Sequence, residues 1–202
     1  NFVGIDGLMH VAALASTARR SHYSNYGPGV LIAAPSNNVH EYQRLSVPGL
    51  GITTATGTTA NVTAGFGGTS SATPLVAGIA ALALSAHPLL SALELGALLR
   101  RTAAKALDFE RYARTPPASY DPDPSWDVSP VAPFAQGEFA DSGGPDGSWS
   151  PWYGHGRADA ANAVAEALRL RGGAPPDDGG EAPAPTTTLT VRHASTPRLA
   201  IP

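Results

Sequence analysis

Ser70 is the side chain in this sequence best placed to do covalent chemistry. It lies in Gly65-Phe66-Gly67-Gly68-Thr69-Ser70-Ser71-Ala72-Thr73-Pro74-Leu75-Val76-Ala77-Gly78, where a glycine-rich run passes into small apolar residues. Glycine opens backbone conformations closed to other residues, and Pro74 is acceptable within the first turn of a helix. The run therefore reads as a loop turning into a helix, with Ser70 at the junction. Freed backbone N–H groups and the positive end of the helix dipole suit an oxyanion forming beside that hydroxyl. The same position also suits a plain helix cap, the commonest role of serine there. A serine nucleophile further needs a general base and a carboxylate to orient it. Upstream, Asp6, His10, His22 and His40 are the candidates, and none has a setting that marks it for this work.

The elements that must position Ser70 follow from the pattern around it. After Pro74 the chain is apolar on every side, which predicts a helix enclosed by protein, in a run too short to span a bilayer. Before it, Val11 to Ala15 and Val30 to Ala34 are continuous apolar runs, the signature of buried parallel strands, separated by a Tyr23-Ser24-Asn25-Tyr26-Gly27-Pro28 turn. Residues 37 to 64 are rich in Thr, Gly and Asn. Alternation around Arg44 to Val47 and Ile52 to Thr56 predicts a hairpin or pair of extended segments leading to the serine loop. His87 and Pro88 close the central helix, and Ser91-Ala92-Leu93-Glu94 is a capping box opening a second. Leu90 and Leu95 can staple that entry, and Leu95, Leu98 and Leu99 form its apolar stripe. From Ala106 to Ser150 Pro, Asp, Gly and Ser dominate, a long surface excursion in which Asp121 and Asp123 read as turn residues. A last helix, 158 to 171, stops at Gly172-Gly173.

Gly68-Thr69-Ser70-Ser71-Ala72-Thr73-Pro74 closely resembles the nucleophile motif of subtilisin-like serine proteases, Gly-Thr-Ser-x-Ala-x-Pro. The Tyr23 to Pro28 turn, the Ala34-Pro35 step and Tyr153-Gly154-His155-Gly156 resemble the kexin-like branch in particular. The resemblance implies an α/β fold with a largely parallel sheet and helices on both faces, of which this chain is an incomplete, C-terminal portion. It implies a serine endopeptidase acting on polypeptides, secreted or at the cell surface, with Ser70 as nucleophile and its own backbone N–H as one oxyanion donor. The family's Asp-(Ser/Thr)-Gly, His-Gly-Thr and oxyanion Asn motifs do not precede Ser70. The Asp, His and Asn are therefore expected upstream of Asn1, on a partner half of the same domain. Asn1-Phe2-Val3-Gly4 resembles an element that carries an acid within the specificity pocket of kexin-like enzymes. Here Val3 stands at that position, and valine cannot pair with a basic P1 residue. The catalytic portion is expected to cover 1–171, with 172–202 a Pro/Gly/Thr-rich linker or the start of a further module. No cofactor is required for the chemistry. Structural calcium is compatible with the family, without identifiable ligands.

Two other readings bracket this one. Ser70, Asp141 and His155 occur in the chain order of an α/β-hydrolase triad, which would make an esterase, but Ala72 replaces the second glycine of Gly-x-Ser-x-Gly. A non-catalytic homologue that kept the scaffold for binding is the alternative from a different class.

Composition sets the bounds. At 202 residues and 43% hydrophobic content the chain can bury a core, and its net charge of −3 gives no reason to expect nucleic acid. With 0 cysteines there is neither a disulfide framework nor a thiolate zinc site. The sequence opens at Asn1 with no leader, and its true start is expected further upstream.

Overall fold

A computed structural model describes residues 5, 7–39, 45–57, 61–120, 122, 134 and 136–172. The two apolar runs form strands β1 (His10–Leu14) and β2 (Val30–Pro35), paired in parallel with Val11 opposite Ile32 and Ala13 opposite Ala34. Each run is apolar throughout because each strand is covered on both faces. Ala13, Ile32 and Ala34 face one core cluster, and Ala12, Leu14 and Ala33 face another.

The far edge of β2 is paired by residues 155–158. His155 N–H donates to the Leu31 carbonyl at 2.9 Å, and Ala33 exchanges bonds of 2.8 Å with Gly156 and Ala158. Gly154 makes this approach possible, since it sits at φ 60° and a Cβ there would fall 2.1 Å from the Leu31 carbonyl carbon. The segment expected to be a surface excursion also packs inward. Leu107, Phe109 and Phe139 join the second cluster beside Trp152 and Tyr153, and Tyr112 is buried. Asp121 and Asp123 lie outside the described residues.

β3 (Ile52–Thr56) and β4 (Asn61–Phe66) form an antiparallel hairpin leading into the serine loop. Ile52 to Thr56 thus pairs with the segment after it. Leu45 to Val47 carries no strand, and Pro48, which has no N–H for a ladder, follows directly. Arg44 lies outside the described residues.

The central helix, α1 (Thr69–Ala86), is 18 residues long and packs on β1, β2, α2 (Ala92–Arg101) and α3 (Ala160–Gly172). It starts a turn earlier than the sequence suggests. Pro74 therefore sits inside the helix, where it cannot donate the i to i−4 bond to the Ser70 carbonyl. Nor is α1 enclosed by the described residues. Ser71, Ala72, Val76 and Ala83 are buried, while Leu75 and Leu82 are 37% and 54% exposed. At 18 residues α1 is long and apolar enough to cross a membrane by length and composition, contrary to the expectation of too short a run. Its packing on both strands is that of a core helix. α2 opens on the expected capping box, Ser91 with Glu94, and buries Leu98 and Leu99.

Candidate active site

The N-cap of α1 is Gly68, at φ 80° and ψ 166°, and no side chain caps the helix. Ser70 is the second helical residue, its side chain exposed and without a hydrogen bond to any described residue. The plain capping role is thus not the one it fills. Its hydroxyl lies at the end of a helix where the N–H groups of the first turn lack helical partners.

Ser71 makes the opposite choice. It is 2% exposed, its N–H and Oγ both bond the Gly68 carbonyl at 2.9 Å, and its Oγ lies 2.8 Å from Ser36 Oγ. Successive helical residues are rotated by about 100°, so adjacent serines face different surroundings. The Ser71 hydroxyl is committed to the fold, and that of Ser70 is exposed and bonded to no described residue.

The loop before Ser70 is held by the segment that leaves β2. Pro35 ends the strand, and Ser36 and Asn37 follow at the C-terminal edge of the parallel pair, where α/β folds commonly place their sites. Gly68 N–H donates to Tyr23 Oη at 3.0 Å and to Asn37 Oδ1 at 3.1 Å, and Ser36 Oγ donates to the Gly68 carbonyl at 2.8 Å. Sequence reading recognised the Tyr23 turn but not Ser36 and Asn37. Their signal was two polar residues directly after an apolar strand ending in proline.

The alternative triad does not assemble. His155 bonds the backbone at Leu31, near the start of β2, whereas Ser36 beside the serine loop follows its end. Five residues of strand separate them by about 16 Å. His155 is buried, and desolvation holds its imidazole below the usual histidine range. Asp141 is exposed and accepts the Gly143 N–H at 2.8 Å in a turn. Of the upstream candidates, His22 packs edge-on against Tyr112 with ring centroids 5.2 Å apart, and its backbone N–H donates to Asn38 Oδ1 at 2.8 Å. His10 lines a cleft shared with Asn25, Thr69 and Thr73. Val3, Asp6 and His40 lie outside the described residues. Among the described residues no group of three or more His, Cys, Asp or Glu side chains gathers to hold a metal ion.

The sequence profile of the subtilase family, peptidase S8, matches residues 4–156. The chain belongs to the subtilase family. A calcium-dependent protease of Trichormus variabilis is 31% identical over 180 residues, which cover 83% of this chain and 22% of that protein. A thermostable alkaline protease of Halalkalibacterium halodurans is 40% identical over 82 residues, 41% of this chain and 19% of the relative. The halolysin-like extracellular serine protease Nep of Natrialba magadii is 38% identical over 104 residues, 48% of this chain and 15% of the relative. The chain thus spans 22% or less of the length of these curated relatives.

Proposed function

We propose that this subtilase chain contributes the nucleophile of a serine endopeptidase, and that the nucleophile is Ser70. The observation that carries the reading is the hydroxyl of Ser70, exposed and bonded to no described residue on the first turn of α1, next to a serine whose hydroxyl is consumed by the fold. In this reading Ser70 Oγ attacks a peptide carbonyl while a histidine takes its proton. The backbone N–H of Ser70 helps hold the tetrahedral oxyanion. The histidine then protonates the departing amine, and water hydrolyses the acyl-enzyme.

The histidine, its orienting carboxylate and the side-chain oxyanion donor come from chain preceding Asn1. The exposed apolar side of α1, with Leu75 and Leu82, supports a preceding segment that packs there. Membership of the kexin-like branch draws support from the Tyr23 turn and from the element ending in Gly156, both of which hold structural positions here. Val3 argues against carrying over that branch's preference for basic P1 residues. Secretion is inferred from the relative named an extracellular serine protease, and calcium from the one named calcium-dependent.

Peptide hydrolysis by the full protein that carries this chain tests the reading. Ser70→Ala should lower kcat by several orders of magnitude with KM little changed, because the hydroxyl works in the transition state. Residues 1–202 alone should show no enzymatic turnover. Hydrolysis that survives Ser70→Ala, or a full protein with no hydrolysis at all, would overturn it, the latter in favour of a non-catalytic scaffold.

A further inference from the structure

Gly68 is the residue in the serine loop with the greatest intrinsic freedom, and it is also the most heavily bonded. At φ 80° and ψ 166° it occupies a region open essentially to glycine alone. Left to itself, such a residue would let Thr69 and Ser70 swing relative to the sheet. Instead both flanking peptide groups are tied down. The N–H is shared between Tyr23 Oη and Asn37 Oδ1, and the carbonyl accepts from Ser36 Oγ, Ser71 Oγ and Ser71 N–H.

The groups that hold Gly68 also lie within hydrogen-bond distance of one another. Tyr23 Oη lies 2.5 Å from Ser36 Oγ and 2.8 Å from Asn37 Oδ1, and Ser36 Oγ lies 2.8 Å from Ser71 Oγ. Asn37 adds a steric stop, because a Cβ on Gly67 would fall 1.8 Å from Asn37 Cγ. Ser36 and Ser71 are each 2% exposed, so the contact between their hydroxyls is shielded from water.

We infer that Tyr23, Ser36 and Asn37 are positioning residues for the nucleophile, a clamp that fixes the Gly68 peptide groups and through them the direction of Ser70 Oγ. The inference rests on the reading of Ser70 as nucleophile and adds what aims it. The strand end and the Tyr23 turn come from separate parts of the chain, so the clamp also ties the aim of the serine to the folded state of the sheet. An error of about 1 Å in a reacting atom costs up to about a hundredfold in rate, so removing one of several ties should cost about tenfold.

The test uses the full protein with Tyr23→Phe, which removes only the hydroxyl. Tyr112→Phe is the control. It removes a comparable buried hydroxyl, bonded to the Arg20 carbonyl and to Asn38 Nδ2 rather than to Gly68. The expected result is a drop of about tenfold in kcat for Tyr23→Phe with KM within about twofold of the parent, and an equal drop in the rate at which a fluorophosphonate labels Ser70. Tyr112→Phe should leave kcat unchanged. Hydrogen exchange at the Gly68 amide, read in the same proteins irrespective of turnover, should accelerate in Tyr23→Phe only. Unchanged kcat or unchanged Gly68 exchange in Tyr23→Phe would overturn the clamp, as would an equal loss of kcat in Tyr112→Phe. Faster Gly68 exchange in a protein that never labels Ser70 would instead overturn the peptidase reading, and the positioning role with it.

Discussion

The two faces of the β1–β2 pair are finished to different degrees. On one, Trp152 and Tyr153 are 1% and 0% exposed over Ala12, Leu14 and Ala33. Trp152 meets Gly137 so closely that a Cβ there would fall 2.3 Å from its ring. The Tyr153 hydroxyl accepts the Arg20 N–H and donates to the Asp108 carbonyl, and burial raises it above the ordinary phenol range. On the other face α1 covers the strands with one side only, and its opposite side shows Leu75 and Leu82 to solvent among the described residues. The closed face is a self-contained scaffold. The open face carries Ser70, the proposed nucleophile, and among the described residues one side of α1 is left uncovered.

Substitutions on the two faces should separate them. Trp152→Ala empties a fully packed site and should cost about 3–5 kcal/mol in denaturant unfolding of the full protein. A cost near zero would mean that the aromatic face is not the scaffold. Leu82→Asp is more discriminating because its effect depends on context. If preceding chain covers α1, the buried carboxylate should cost more than about 2 kcal/mol in the full protein, whereas in 1–202 alone it should be near neutral. Equal small effects in both would leave α1 open in the native state.

Sequence reading reached the closed face and the open face unequally. The parallel strands, the hairpin at Ile52 to Thr56, the Ser91 cap and the serine at a helix start were legible because each depends on neighbours in the chain. Pro74 favours a helix that starts close to it, whereas tertiary packing carries α1 through the proline from a start a turn earlier. The inward packing of Phe109 and Tyr112 was missed because no periodicity marks an irregular segment that folds against a distant aromatic pair. The Gly68 clamp was invisible for the same reason, since its members come from three separate stretches of chain.

Acid should weaken the closed face first. His155 is buried beside β2 with its pKa lowered by desolvation, so the folded state holds it neutral more firmly than the unfolded chain does. Its stabilising contribution is present above the unfolded value of about 6.5 and is lost as pH falls through the lower folded value. Thermal midpoints measured from pH 8 to pH 5 should fall, and His155→Gln should flatten that slope. An unchanged slope would remove His155 from the account.

The smallest effect belongs to the cap of α2. Ser91→Ala removes the acceptor for the Glu94 N–H and should cost about 1 kcal/mol at neutral pH. Glu94 has its pKa lowered, first by the Ser91 hydroxyl, so the capping box contributes above the ordinary glutamate value and is lost as pH falls through the lower folded one. The difference between the parent and Ser91→Ala should therefore shrink in acid to the part carried by the Glu94 N–H bond to Ser91 Oγ, which does not titrate. A difference unchanged at pH 3 would mean that the Glu94 carboxylate adds nothing to the cap.

The most direct measurement concerns the two adjacent serines at the start of α1. The full protein that carries this chain, treated with a fluorophosphonate and digested, should yield one peptide from this region with the adduct on Ser70. Ser71 should remain unlabelled because its hydroxyl is buried and bonded to Gly68. Ser70→Ala should abolish labelling of the peptide. An adduct on Ser71, or no adduct on either serine in folded protein, would contradict the assignment of Ser70 as nucleophile.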